Sequence, residues 1–167
     1  MSTPKKETTA GTLLVAFVLC IVCSVIVAGA AVSLKPIQSS NKALDRKTNI
    51  LSAAGMLTEG EHGRAEIEQM FDRFEVRLVD LDSGSYASEQ DMARPELDPA
   101  RYDQVKAAKD AKLSAALSDA EDIASIGRRE RFAQVYLIED NGQLEKIVLP
   151  IRGYGLWGTL YGFLVLE

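Results

Sequence analysis

The spacing of apolar residues changes several times along the chain, and each change predicts a different element. From Gly11 to Leu34 the run GTLLVAFVLCIVCSVIVAGAAVSL passes 24 residues without one ionisable side chain. As a helix it spans roughly 36 Å at about 1.5 Å per residue, enough to cross a bilayer core with some tilt. Backbone amides in lipid must be satisfied internally, so a helix is expected there. Residues 1–10 form a polar tail before it. Lys35 and Pro36 follow, and the proline is expected to kink or restart the helix. Ile37, Leu44 and Leu51 then recur every seven residues, with Ala43, Ile50 and Ala54 beside them. That stripe predicts a helix ending near Gly55. Ile67, Met70, Phe71 and Phe74 predict a second helix by the same spacing.

A strand period takes over at EVRLVDLD, Glu75 to Asp82, closed by the turn Ser83-Gly84-Ser85. Ser88 to Arg101, with two prolines and many charges, reads as a loop. The Ala- and Lys-rich stretch from Tyr102 to Leu117 reads as a helix. AQVYLIE and QLEKIVLP flank Asp140-Asn141-Gly142, a strong hairpin signal. A last strand, YGFLVLE, follows. The pattern predicts a transmembrane helix over 11–34 and one soluble α+β domain over 35–167.

Composition narrows the function classes. The chain is 47% hydrophobic and 26% charged, which excludes a disordered polymer. A net charge of −5 offers no footprint for nucleic acid, and Arg128-Arg129 and Arg131 are interrupted by Glu130. A cleaved signal peptide is the rival reading of the apolar run, with Lys5 and Lys6 before it and Ala28-Gly29-Ala30 as a cleavage site. The run is longer than the 7–15 residues or so that such peptides use, which favours an uncleaved anchor. A lipoprotein fits poorly, because bulky Leu19 and Val22 directly precede Cys20 and Cys23. Those two cysteines lie mid-span with no further cysteine in the chain, so they read as small apolar residues on one helix face.

Conventional catalytic constellations are missing. The sole histidine, His62, sits in EGEHGR and reads as a solvated loop residue. Asp80 and Asp82 share one face of a strand, where a solvated edge is the plainer reading. No zinc spacing, phosphate-binding loop or nucleophile elbow occurs in the sequence. What remains is RGYGLWGTLYGFLVLE. Gly153, Gly155 and Gly158 permit close backbone approach to a flat ligand, and Leu156 and Trp157 can cover its face. The alternative is a tight turn whose tryptophan fills the core.

Here the residues carry a resemblance. IRGYGLWGTLYGFLVLE and the hairpin QVYLIEDNGQLEKIVLP before it are similar to the C subunit of the Na⁺-translocating NADH:quinone reductase of bacteria. CSVIVAGAAVSL, NKALDRKTNILSAAGM, RLVDLDSG and YDQVKAAKDA fit the N-terminal portion of the same family. A more distant resemblance is to the G subunit of the Rnf electron-transport complex. The resemblance implies a flavoprotein carrying covalent FMN, within a multi-subunit complex that passes electrons from NADH to ubiquinone and exports Na⁺. With that cofactor, the bracket of Gly153, Gly155 and Gly158 leads to the expectation that Leu156 and Trp157 lie beside the flavin, with Thr159 as a polar contact. The family attaches FMN to a threonine in an S-G-A-T-x-T motif downstream of the G-L-W segment. That motif does not occur here, and Ser83-Gly84-Ser85-Tyr86-Ala87-Ser88 is a poor and misplaced match. The expectation is therefore an incomplete FMN-binding domain, cut within its sheet, with no attachment threonine and no activity of its own.

The resemblance also implies a bacterial inner membrane, with the soluble domain in the periplasm. Charge counting points weakly the other way, with Lys5 and Lys6 before the span against Lys35, Lys42, Arg46 and Lys47 after it. A single-pass assembly or sensor domain without a cofactor is the alternative from another class.

Overall fold

The computed structural model describes residues 8–57, 62–140 and 142–167. Lys5, Lys6, Asn141 of the hairpin signal and the Glu59-Gly60-Glu61 stretch before His62 lie outside them. The chain divides into two compact units, one ending at Ala43 and one running Leu44–Glu167.

Helix α1 runs Thr9–Ala53 and passes through Pro36 without restarting. Proline fixes φ near the helical value and removes a single N–H, so the helical assignment continues across it with one hydrogen bond fewer. The helix stops where the glycine signal placed its end. Gly55 takes φ +70, its N–H donates to the Ser52 carbonyl, and the Met56 N–H reaches back to Leu51. This pair of bonds is a Schellman cap, which needs a left-handed residue and therefore favours glycine. In the first unit, Leu13, Val15, Phe17, Val25 and Val27 are all exposed. Among the described residues α1 is the one helix long and apolar enough to cross a membrane.

The second unit is α+β, as the pattern predicted. Its main sheet is built from β1 Glu75–Asp80, β2 Ser85–Tyr86, β5 Phe132–Asp140, β6 Gln143–Tyr154 and β7 Thr159–Leu166. The strands are antiparallel throughout, in the order β2-β1-β5-β6-β7. Helix α2, Arg64–Phe71, precedes them. Phe74 falls just beyond α2, so that spacing spans a helix and its exit. Ile50 and Leu51 of α1, Ile67 of α2, Phe74, Tyr136, Ile138 and Val148 form one buried cluster. The Tyr136 ring meets Phe71, Phe74 and Phe163 edge-on at 6.0 to 6.4 Å between centroids, a geometry that aromatic quadrupoles favour. A second cluster gathers Leu78, Leu97, Tyr102, Ala107 and Phe132.

Three expectations need correction. The first strand ends at Asp80 rather than Asp82, because the chain turns at once into β2. The expected loop holds a short helix α3, Glu89–Met92, and a 3₁₀ turn, Pro95–Leu97. Ser88 and Asp91 cap α3 reciprocally. The expected helix over 102–117 survives only as α4, Gln104–Ala107. Asp103 caps its start by accepting from Val105 and Lys106 N–H. Asp110 then folds the chain back by accepting from Lys112 N–H. Ser114–Ala116 emerges as β3 and pairs with β4, Arg128–Glu130, in a second small sheet. Ala and Lys favour a helix, yet the stretch has no apolar stripe to hold one against the core.

Candidate functional site

The glycine-rich segment is the tip of a hairpin. β6 and β7 pair from Ile147↔Leu166 to Tyr154↔Thr159, and the four residues Gly155-Leu156-Trp157-Gly158 turn between them. The Gly155 N–H donates to the Gly158 carbonyl at 2.8 Å, which closes the turn. The glycines have separate reasons. At Gly158 φ is +152, a backbone region that L side chains rarely enter. At Gly155 a Cβ would stand 2.9 Å from Leu160 Cδ1 and 3.0 Å from its Cγ. Gly153 has ordinary room, with Ala124 at 3.8 Å.

This geometry sends the large side chains outward. Trp157 is 96% exposed and Leu156 88% exposed, so neither fills the core. Thr159 opens β7 opposite Tyr154, and both are exposed. The turn thus brings Leu156, Trp157 and Thr159 onto one projecting tip. Tyr154, Leu160 and Tyr161 near the turn are exposed as well, so this end of the hairpin presents several apolar side chains to its surroundings.

The far half of β6 is held in a way that local sequence does not announce. Its ladder with β5 begins at Val148 and runs back toward Gln143, so residues beyond Val148 pair only with β7. Pro150 sits at this divergence, where its missing N–H leaves no ladder bond to break. The freed side of β6 receives other partners. The Tyr154 N–H donates to the Ala124 carbonyl at 2.8 Å. Arg152 donates from Nη2 to the Arg128 carbonyl at 2.7 Å and to Glu130 Oε2 at 2.5 Å. The Glu130 side chain is 4% exposed and that of Arg152 15%. These partners lie far back along the chain, on a different strand and a loop, so no spacing rule could have found them.

The remaining candidates lie apart from the tip. His62 Nδ1 is 3.1 Å from Glu66 Oε1 at the start of α2. Cys20 and Cys23 are free and exposed on α1. Asp80 is buried, and Arg131 holds its carboxyl below the usual range chiefly by hydrogen bonding. Asp82 is mostly exposed beside Arg129 and Arg131.

Comparison with known proteins places these features in one family. A scan against family models returned no match. The C subunit of the Na(+)-translocating NADH-quinone reductase of Pseudomonas aeruginosa is 53% identical over 163 residues, covering 97% of this chain and 59% of the relative. The subunit of the same name from Yersinia pestis is 42% identical over 167 residues, covering 98% of this chain and 59% of the relative. In structure, the Shewanella oneidensis NqrC crystal structure matches with a TM-score of 0.60 at 28% identity, over 76% of this chain and 54% of that one. The chain thus spans about three fifths of the length of the curated relatives it matches. By sequence and by fold, it belongs to the family of the C subunit of the Na(+)-translocating NADH-quinone reductase.

Proposed function

We propose that the chain serves as the anchor and part of the flavin domain of a membrane NADH:quinone oxidoreductase, one that couples electron transfer from NADH to ubiquinone with Na⁺ export. In this reading residues 11–34 span the bacterial inner membrane, and residues 35–167 lie on its periplasmic side. The other subunits of the complex bind NADH and ubiquinone. Residues 11–34 contain no ionisable group. Ion pathways through lipid need polar or charged groups, so Na⁺ crosses elsewhere in the complex.

The observation that carries the reading is the outward presentation of Leu156 and Trp157 on a closed glycine turn. Both side chains are free to cover one face of a planar ring, and Thr159 beside them offers a hydroxyl. The residues fit FMN as a contact surface. They do not supply its covalent attachment, because the S-G-A-T-x-T motif is absent from the chain. Bound FMN would supply the redox chemistry, accepting electrons from one centre and yielding them to the next. Leu156 and Trp157 would cover one face of the ring and keep water from it.

The test is Leu156→Lys, made in the whole protein as expressed from its own gene. A cation beside the ring favours the more negative, reduced flavin, so the midpoint potential should rise. A redox titration run beside a thermal melt reads both quantities. An unchanged potential in a folded, flavin-loaded protein would reject the contact and leave the tip as a surface for another protein.

A further inference from the structure

A line of hydrogen bonds crosses the second unit and ends at Arg152, just before the glycine turn. Arg46 of α1 donates from Nη2 to Gln134 Oε1 at 2.5 Å. Gln134 passes its Nε2–H to the Pro99 carbonyl at 3.0 Å, and its backbone N–H donates to Gln104 Oε1 at 3.1 Å. Gln104 Nε2 donates to Glu130 Oε1 at 2.5 Å. Glu130 Oε2 accepts from Arg152, which also reaches the Arg128 carbonyl. Gln104, Glu130 and Gln134 are all buried. Among the described residues no buried side-chain nitrogen or oxygen lacks a partner.

The line has a polarity that fixes its members. Gln104 must turn Oε1 toward the Gln134 N–H, which leaves only its amide N–H for Glu130. Glu130 therefore meets a donor at each oxygen, and only a group with two acceptor oxygens satisfies both. An amide at position 130 would set donor against donor at one end. Rotating Gln104 to relieve that clash would move it to the Gln134 N–H.

Stability alone is a poor account of this arrangement. Desolvating an ion pair can cancel most of its attraction, and well-packed apolar residues often do as well. What a buried, fully bonded pair supplies is a defined position. Position is what the end of β6 needs, since beyond Val148 it has a ladder with β7 alone, a two-stranded ribbon by itself is marginal, and besides the Arg152 contacts one backbone bond, Tyr154 N–H to the Ala124 carbonyl, ties it down. The geometry points to Glu130 as a positioning residue: through Arg152 it holds the end of β6, and with it the turn that presents Leu156 and Trp157. The use of that turn rests on the flavin reading above, but its being held in place does not.

Trp157 is the only tryptophan in the chain, so tryptophan emission reports on the turn alone. The measurement is steady-state anisotropy of the detergent-solubilised 167-residue chain, well below its melting temperature. Glu130→Gln should lower the anisotropy, because the turn gains local motion. Leu51→Ala is the control: it opens a cavity in the buried cluster and should lower the melting temperature while leaving the anisotropy at the wild-type value. If Glu130→Gln melts early yet keeps wild-type anisotropy, the residue is merely structural and the positioning role is overturned. Should Glu130→Gln fail to fold, two variants at Arg152 decide. Arg152→Lys is the control that keeps the cation opposite Glu130, and Arg152→Met, which removes it, is the decisive variant: anisotropy lost in Arg152→Met but kept in Arg152→Lys supports the role, and a wild-type value in Arg152→Met rejects it. The readout involves no flavin. Loss of anisotropy in Glu130→Gln, with no change of potential in Leu156→Lys, would keep the positioning role and discard the flavin contact.

Discussion

Arg131 grips Asp80 with two nitrogens, Nη2 at 2.8 Å and Nε at 3.2 Å from the same carboxylate oxygen, Oδ2. Nε also lies 3.3 Å from Oδ1, and the Asp82 N–H donates to that oxygen at 3.0 Å. The contacts tie the end of β1 to the residue between β4 and β5, so one side chain braces both sheets.

A pH dependence follows from that grip. Hydrogen bonding from Arg131 lowers the Asp80 carboxyl below its ordinary value, against the opposing effect of burial. A group depressed in the folded state stabilises above its unfolded pKa of about 3.9, and that contribution is lost as pH falls through the folded value. The stability difference between wild type and Asp80→Asn should be full at pH 7 and narrow steadily below about pH 4. Urea melts at several pH values measure it. A difference that stays constant down to about pH 3 would show that the ion pair contributes nothing.

The glycines of the turn should separate on substitution. Gly158→Ala meets a φ of +152 and should cost about 1–3 kcal/mol. Gly153→Ala meets only ordinary contacts with Ala124 and should cost little, or stabilise by up to about 1 kcal/mol by restricting the unfolded chain. Thermal melts of the two variants, side by side, give the ranking. Equal losses would mean that the turn does not govern the folding of β6 and β7.

The anchor should persist in the mature protein. Mass spectrometry of membrane-extracted protein is expected to find the N-terminal region intact, whereas a mature terminus at or near Ala31 would establish a cleaved signal. Protease added to spheroplasts should digest the domain beyond the span. Protection until the inner membrane is broken would reverse the proposed orientation.

Long, strongly patterned elements were legible in the sequence. The apolar run, the Ile50–Leu51 stripe ending at Gly55, and the hairpin of β5 and β6 all announce themselves through local period and turn chemistry. β3 and β4 do not, because Ser-Ala-Ala and Arg-Arg-Glu carry no alternation and each finds its partner only across a long loop. The turn itself was legible as a glycine bracket, but not its direction. Leu and Trp suit a core as well as a tip, and only the register of β6 with β7 settles that they project. The Glu130–Arg152 pair left no trace at all, since its members meet from strands 22 residues apart.

Pro36 gives α1 something that an uninterrupted ladder lacks. With no N–H on Pro36, the carbonyl of Val32 has no donor four residues on, and a bare carbonyl is costly in hydrocarbon. It sits at the end of the uncharged run, three residues before Lys35. Sliding the helix deeper would drag both the unmet carbonyl and the ammonium into the acyl chains. Sliding it outward would lift Leu34 and its apolar neighbours into water. In the proposed reading of residues 11–34 as a membrane span, Val32 and Lys35 together would act as a depth gauge, limiting how far the helix sinks.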